Sequence, residues 1–187
     1  MTNDFFPKDY ELPKQPSSYM KLEDGQNKFR ILSAPLIGWM YWTKDNKPVR
    51  SPEPFEGIPE DARLDEGNFK PKHFWALVVW NYADKRVQIL EITQASIQGP
   101  INDLVCNEDW GDPREYDITI TKKGQKLDTE YTVQPSPQKA VPIEAHAAYR
   151  AQRIDLEALF RGADPFAASQ PASELTDKDG PFPRTTL

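Results

Sequence analysis

Three large aromatic residues, Trp39, Tyr41 and Trp42, stand within four positions and are followed at once by Lys44, Lys47 and Arg50. Flat rings interleaved with cations suit one kind of chemistry, in which nucleobases stack on the rings while Lys and Arg meet the phosphates between them. Further cations stand at Lys28, Arg30, Lys122 and Lys123. Any one ring taken alone is better explained by burial in a core. The cationic company of Trp39 to Trp42 is what favours the other reading.

Other chemistries leave weaker marks. The nine glycines never fall in a phosphate-cradling spacing, and neither a G-x-S-x-G elbow nor an H-E-x-x-H pair occurs. The single cysteine, Cys106, excludes an internal disulfide. With His73 and His146 it makes three soft ligands, too few and too scattered for structural zinc. Cys106 also has no histidine near it in sequence to activate it, and reads as a bystander thiol. Carboxylates crowd Glu53 to Glu66 and recur at Glu108, Asp109 and Asp112. They keep a carboxylate metal centre, and with it a metal-dependent nuclease, open as a rival. Surface acids in loops are nonetheless the default, so the chain reads as a binding protein, with no catalytic residue, metal or cofactor assigned.

A chain of 187 residues with 38% hydrophobic content can bury the core of one domain. No apolar run approaches the roughly 18 residues that cross a bilayer, and the first residues lack the apolar centre of a signal peptide. A soluble protein of the cytoplasm is expected. The net charge of -6 speaks against a nucleic-acid partner at first sight. Its distribution is uneven, however. Five basic residues between Lys28 and Arg50 face only Asp45, whereas six acids between Glu53 and Lys70 face only Arg63 and Lys70.

The elements that must position these residues are mostly strands. His73 to Tyr82 and Val87 to Ile92 form a hairpin about the turn Ala83 to Arg86, by β-favouring composition and period-two alternation. Phe74, Ala76, Val78, Trp80 and Tyr82 fall on one face, and His73, Trp75, Leu77 and Val79 on the other. Both faces are apolar, so either both are covered or one is an aromatic platform. Tyr19 to Leu22 reads as a short strand, and Lys28 to Leu32 as a half-buried one with Lys28 and Arg30 outward. Ile37 to Trp42 reads as a strand continued through Pro48 to Arg50. Ser51 to Phe69 is a polar insert resembling a surface flap, either merely solvated or lying over the basic strip and competing with a polyanion.

Thr93 caps a helix expected over 94 to 106, with Ile97, Ile101, Leu104 and Val105 as its apolar stripe. Trp110 reads as a plug on the core. Tyr116 to Thr121 and Leu127 to Val133 make a second hairpin whose tip carries Lys122 and Lys123. Ile143 to Phe160 is helix-prone, with Asp155 able to cap a separate short helix. The expected division is a flexible arm over 1–18, a core over 19–135 containing the 51–69 insert, a helical segment over 136–161, and a disordered tail over 162–187. The fold class is mainly β, a five-stranded OB-type barrel with one helix between strands.

Over roughly residues 19–135 the chain resembles the phage single-stranded-DNA-binding proteins of the helix-destabilising, T-even type and their shorter phage and prophage relatives. The resemblance rests on Lys21-Leu22-Glu23-Asp24-Gly25-Gln26-Asn27-Lys28-Phe29-Arg30-Ile31-Leu32, Gly38-Trp39 to Trp42 with Lys47-Pro48-Val49-Arg50, Phe74 to Val79, and Glu108 to Pro113 before the second hairpin. It implies an OB-fold core that binds single strands with little sequence preference. By position, it makes Arg30, Trp39, Tyr41, Lys44, Arg50, Lys72 and Trp75 the groove. It also implies a place in phage replication or recombination inside the bacterial host. The T-even relatives carry a zinc subdomain; this insert has neither Cys nor His, so zinc is expected to be absent. Family tails are often strongly acidic and recruit replication proteins, whereas this one is only mildly so. The rival within the same fold class is an acidic protein-interaction module that mimics nucleic acid.

Overall fold

The computed structural model describes residues 17–169. Most of the expected arm, up to residue 16, and the tail from 170 onward lie outside the described residues. Seven strands form one antiparallel sheet: β1 (Gly25–Ile31), β2 (Leu36–Trp42), β3 (Pro48–Ser51), β4 (Lys72–Asn81), β5 (Arg86–Ile92), β6 (Asp117–Lys123) and β7 (Glu130–Pro135). Helix α1 (Ala95–Cys106) lies between β5 and β6, and α2 (Ile143–Ala151) follows β7. The mainly β class matches the alternating runs of the sequence. The barrel does not: the hydrogen-bonded order β3-β2-β4-β1-β6-β7, with β5 on β4, holds seven strands and does not close.

Strand β4 is the hub of this sheet. Along one edge β5 pairs with Trp75 to Asn81. The other edge is shared, β2 taking Lys72 to Ala76 and β1 taking Val79 to Asn81. At the changeover the peptide groups of Val78 are met by the link between β1 and β2. Leu32 N–H donates to Val78 O at 2.8 Å, and Val78 N–H donates to Ser33 Oγ at 3.0 Å. Buried peptide groups are satisfied in this way wherever a ladder is interrupted.

Both faces of β4 are covered through its middle. Leu77 and Val79 join Phe29, Ile31, Leu90, Ile92, Ile118 and Ile120 in the principal core, against which α1 buries Ile97 and Ile101. On the reverse face, Ala145 of α2 is buried against Val78, Trp80 and Val87, and Leu159 packs with Met40, Phe74, Ala76 and Ile89. Each such apolar side chain contributes about 1.5–3 kcal/mol by leaving water. The segment carrying Ala145 and Leu159 is therefore part of the fold. Gly38 shows how closely it packs: a Cβ there would lie 2.5 Å from Ser51 O and 2.9 Å from the Phe160 ring, so only glycine fits.

Several boundaries differ from those expected. The run from Ile143 breaks after Ala151, and Asp155 caps a separate 3-10 helix, Leu156–Arg161, by accepting from Glu157 N–H at 3.1 Å. Gly162, with φ +65°, ends that helix. Order continues past the expected start of the tail, with Pro165 buried and Phe166 packed beside Leu159. Gln94, not Thr93, stands at the cap of α1, and no side chain caps it. Tyr19 makes one parallel bridge to Ile89 in place of a strand, lying along the edge of β5. Between β6 and β7, a 3-10 turn over Lys126–Asp128 leaves Leu127 exposed and delays the return strand to Glu130.

Candidate nucleic-acid interface

The register of β2 selects which rings meet. Ile37 lies opposite Trp75 and Trp39 opposite His73 on β4, while on β3 Trp39 faces Ser51 and Tyr41 faces Val49. Residues directly opposed across a ladder share a face. Ile37, Trp39, His73 and Trp75 are therefore alternate rungs on the side that Leu77 and Val79 present to the core. That side is sealed over Leu77 and Val79, then opens. Trp39, His73 and Trp75 are half-buried, and Ile37 is 49% exposed. The Trp39 and His73 rings meet edge-on, centroids 5.3 Å apart and planes at 67°. Gln98 of α1 marks the border, its Nε2 donating to Ile92 O at 2.9 Å and to His73 O at 3.3 Å.

Beside these rungs runs a mostly apolar groove of about 570 Å³. Ile37, Trp75 and Leu77 form its sheet wall, and Ile101 and Val105 its helix wall. Val105, expected in the buried stripe of α1, is 47% exposed. Arg114 also lines the groove, held by Asp112 through Nε at 2.9 Å and Nη2 at 2.5 Å. Those bonds draw the Asp112 carboxyl below its ordinary pKa.

The insert closes over the other end of β2. Thr43 bridges Ala62, Lys44 N–H donates to Asp61 O at 2.8 Å, and Arg63 N–H donates to Trp42 O at 2.8 Å. Phe55 and Phe69 stand edge-on to Tyr41, at 4.8 and 5.5 Å, and the Tyr41 hydroxyl donates to Asp61 Oδ1 at 2.9 Å. Burial and then the Asp61 bond raise the Tyr41 pKa.

Two expected groove residues are thereby corrected. Tyr41 is only 7% exposed and serves as the anchor of the insert. Arg30 is fully buried. Its Nε donates to Asp117 Oδ1 at 2.8 Å and its Nη1 to Lys139 O at 3.0 Å, so the outward face predicted for it is covered by later chain. The remaining residues are dispersed. Trp39 and Trp75 come together. Trp42, Arg50 and Lys72 take the reverse face by register, and Arg50 is bound to Glu91 Oε1 at 2.6 Å and lies over the Phe74 ring. Lys44 Nζ donates to Glu60 O at 2.7 Å, and Lys47 is exposed. Lys28 is exposed on β1, while Lys122, paired with Asp24 at 3.1 Å, and exposed Lys123 belong to the far hairpin. His73 and Ile37 were missed as members of this surface, although alternation already put His73 on the Trp75 face.

Among the described residues no three His, Cys, Asp or Glu side chains gather as a metal site would need. No described helix is long and apolar enough to cross a membrane.

No family model matches this chain, and no solved structure matches it. It is similar to a protein of Escherichia phage T5 named "Probable ssDNA-binding protein", 26% identical over 141 residues. The match covers 62% of this chain and 54% of that protein, so the chain spans about half the length of its relative.

Proposed function

We propose that this protein binds single-stranded DNA with little sequence preference, in phage DNA replication or recombination within the bacterial cytoplasm. The observation that carries the reading is the pair of rungs Ile37–Trp75 and Trp39–His73, half-exposed where the sealed face of β4 ends. Bases stack on the Trp39 and Trp75 rings, each ring contributing about 1–3 kcal/mol, and the apolar groove beside them takes the flanking base. The similarity to the phage T5 protein supports the choice of ligand. The scaffold is read as an OB-type plan left open, an antiparallel sheet with a helix between the fifth and sixth strands. Binding is passive: the protein holds strands that have already opened, and no bond is made or broken. The acidic insert, seated on Tyr41 at the end of the trough, limits how far a polyanion runs along β2.

The net charge of -6 favours one alternative, an interaction module that mimics nucleic acid. A gel shift with labelled oligo-dT over a range of salt concentrations separates the two. A single-strand binder shifts the oligonucleotide at low salt and loses it as salt rises. A mimic leaves it unshifted throughout.

A further inference from the structure

At the far end of β4, on the face opposite the aromatic rungs, Asp117 lies fully buried at the start of β6. Its Oδ1 accepts from Arg30 Nε and from the Tyr82 hydroxyl, each at 2.8 Å. Its Oδ2 faces Lys139 Nζ at 2.7 Å and Lys28 Nζ at 3.3 Å. Three cations thus converge on one carboxylate, whereas pairs such as Lys70 with Asp65 or Arg161 with Asp155 are one to one.

Arg30, as buried as Asp117, already neutralises that carboxylate inside the fold. In charge the two lysines exceed what one carboxylate needs; their ammonium groups meet its Oδ2 from the outer side. Lys28 and Lys139 keep 43% and 48% of their side-chain exposure. Both ammonium groups lie over the Tyr82 ring, at 5.1 and 5.8 Å from its centre. Arg30 Nη2 is buried with no hydrogen-bond partner among the described residues. One further acid, Glu144 of α2, acts on Tyr82 as the smallest of several influences. Among the groups named here, Arg30, Lys28 and Lys139 against Asp117 and Glu144, one positive charge remains in excess, on a protein whose net charge is -6.

We infer that Lys28, Tyr82 and Lys139 form a phosphate-binding station for the backbone of the single strand, separate from the stacking platform. The assignment rests on the single-strand reading above. Trp75 and Tyr82 are seven residues apart on an extended chain, roughly 23 Å, and on opposite faces, so the two stations engage different nucleotides. The platform supplies stacking and little charge; the station supplies charge. Because each phosphate neutralised on a single strand contributes about 0.7 to the slope of log affinity against log salt, the two are separable by experiment.

The test measures oligo-dT affinity over a salt series for the full chain, for Lys28→Gln/Lys139→Gln, and for Trp39→Ala. The double variant is expected to lower the slope by about 1.4, two phosphate contacts. Trp39→Ala is expected to lower affinity at every salt concentration with the slope unchanged. An unchanged slope in the double variant, with Trp39→Ala behaving as stated, overturns the station and leaves the platform standing. Absence of oligo-dT binding by the wild-type chain overturns both. Lysine side-chain NMR on the wild-type protein avoids any dependence on variant folding. Shifts of the Lys28 and Lys139 ammonium signals on adding oligo-dT support the station, and unmoved signals overturn it. Shifts with inorganic phosphate but not with oligo-dT overturn its assignment to the strand.

Discussion

Trp39 and His73 meet edge to face across the β2–β4 ladder, ring centroids 5.3 Å apart with planes at 67°. An edge-on pair holds both rings at a set tilt without the mutual burial of stacked faces. In the proposed function this tilt presents Trp39 to a base. Trp39→Ala is expected to weaken oligo-dT binding by about 1–3 kcal/mol, roughly 5- to 150-fold, with the melting temperature nearly unchanged. Titration of the variant, alongside its thermal melt, checks both halves.

Tyr41, two residues further along the same face, is expected to behave in the opposite way. Its hydroxyl bond to Asp61 and its ring contacts with Phe55 and Phe69 hold the insert down. Tyr41→Phe removes only the hydroxyl bond and should cost about 0.5–1.5 kcal/mol. Limited proteolysis should then cut the insert between residues 52 and 70 faster, while oligo-dT affinity does not fall tenfold.

The paired aromatics and the central hairpin were legible in the sequence because alternation and β-favouring composition are local signals. Which ring stays open was not. Trp39 and Tyr41 share a face and a residue type, and only Phe55 and Phe69, brought back by the insert, bury one and leave the other. Arg30 misled for a similar reason. Its outward position on β1 was read correctly, but Asp117 and Lys139, far along the chain, cover that side. The doubly apolar β4 was legible as a choice between cover and platform; the strand is sealed at Leu77 and half-exposed at Trp75.

Arg30→Ala leaves Asp117 buried without the guanidinium that neutralises it from within. An uncompensated buried charge costs about 3–5 kcal/mol; with Lys139 and Lys28 still on Oδ2, the loss falls below that range. Chemical denaturation should show a midpoint lowered accordingly, whether or not DNA is present.

The same carboxylate sets an acid limit. Burial pushes the Asp117 pKa up, but bonds from Lys139 and Tyr82 and the charges of Arg30 and Lys28 outweigh it, so the native value lies below the ordinary 3.8. The unfolded chain then binds the proton more readily, and stability contributed by Asp117 is fully present above about pH 4, then lost as pH falls through the lowered native value. Asp117→Asn should be much less stable than wild type at pH 7, with the gap narrowing below pH 4 in denaturant titrations.

Gly38→Ala places a methyl group against Ser51 O and the Phe160 ring. Because the first obstacle is backbone, no side-chain rotation relieves it. A loss of about 1–3 kcal/mol is expected from a thermal melt, as for other overpacked sites.

Single-strand binding by the half-exposed tryptophans is read most directly by titrating the protein's tryptophan fluorescence with oligo-dT at low and at high salt. A saturable change at low salt, an affinity that falls as salt rises, and loss of most of the change in Trp39→Ala are expected. A folded protein whose fluorescence stays flat with oligo-dT at low salt would contradict single-strand binding.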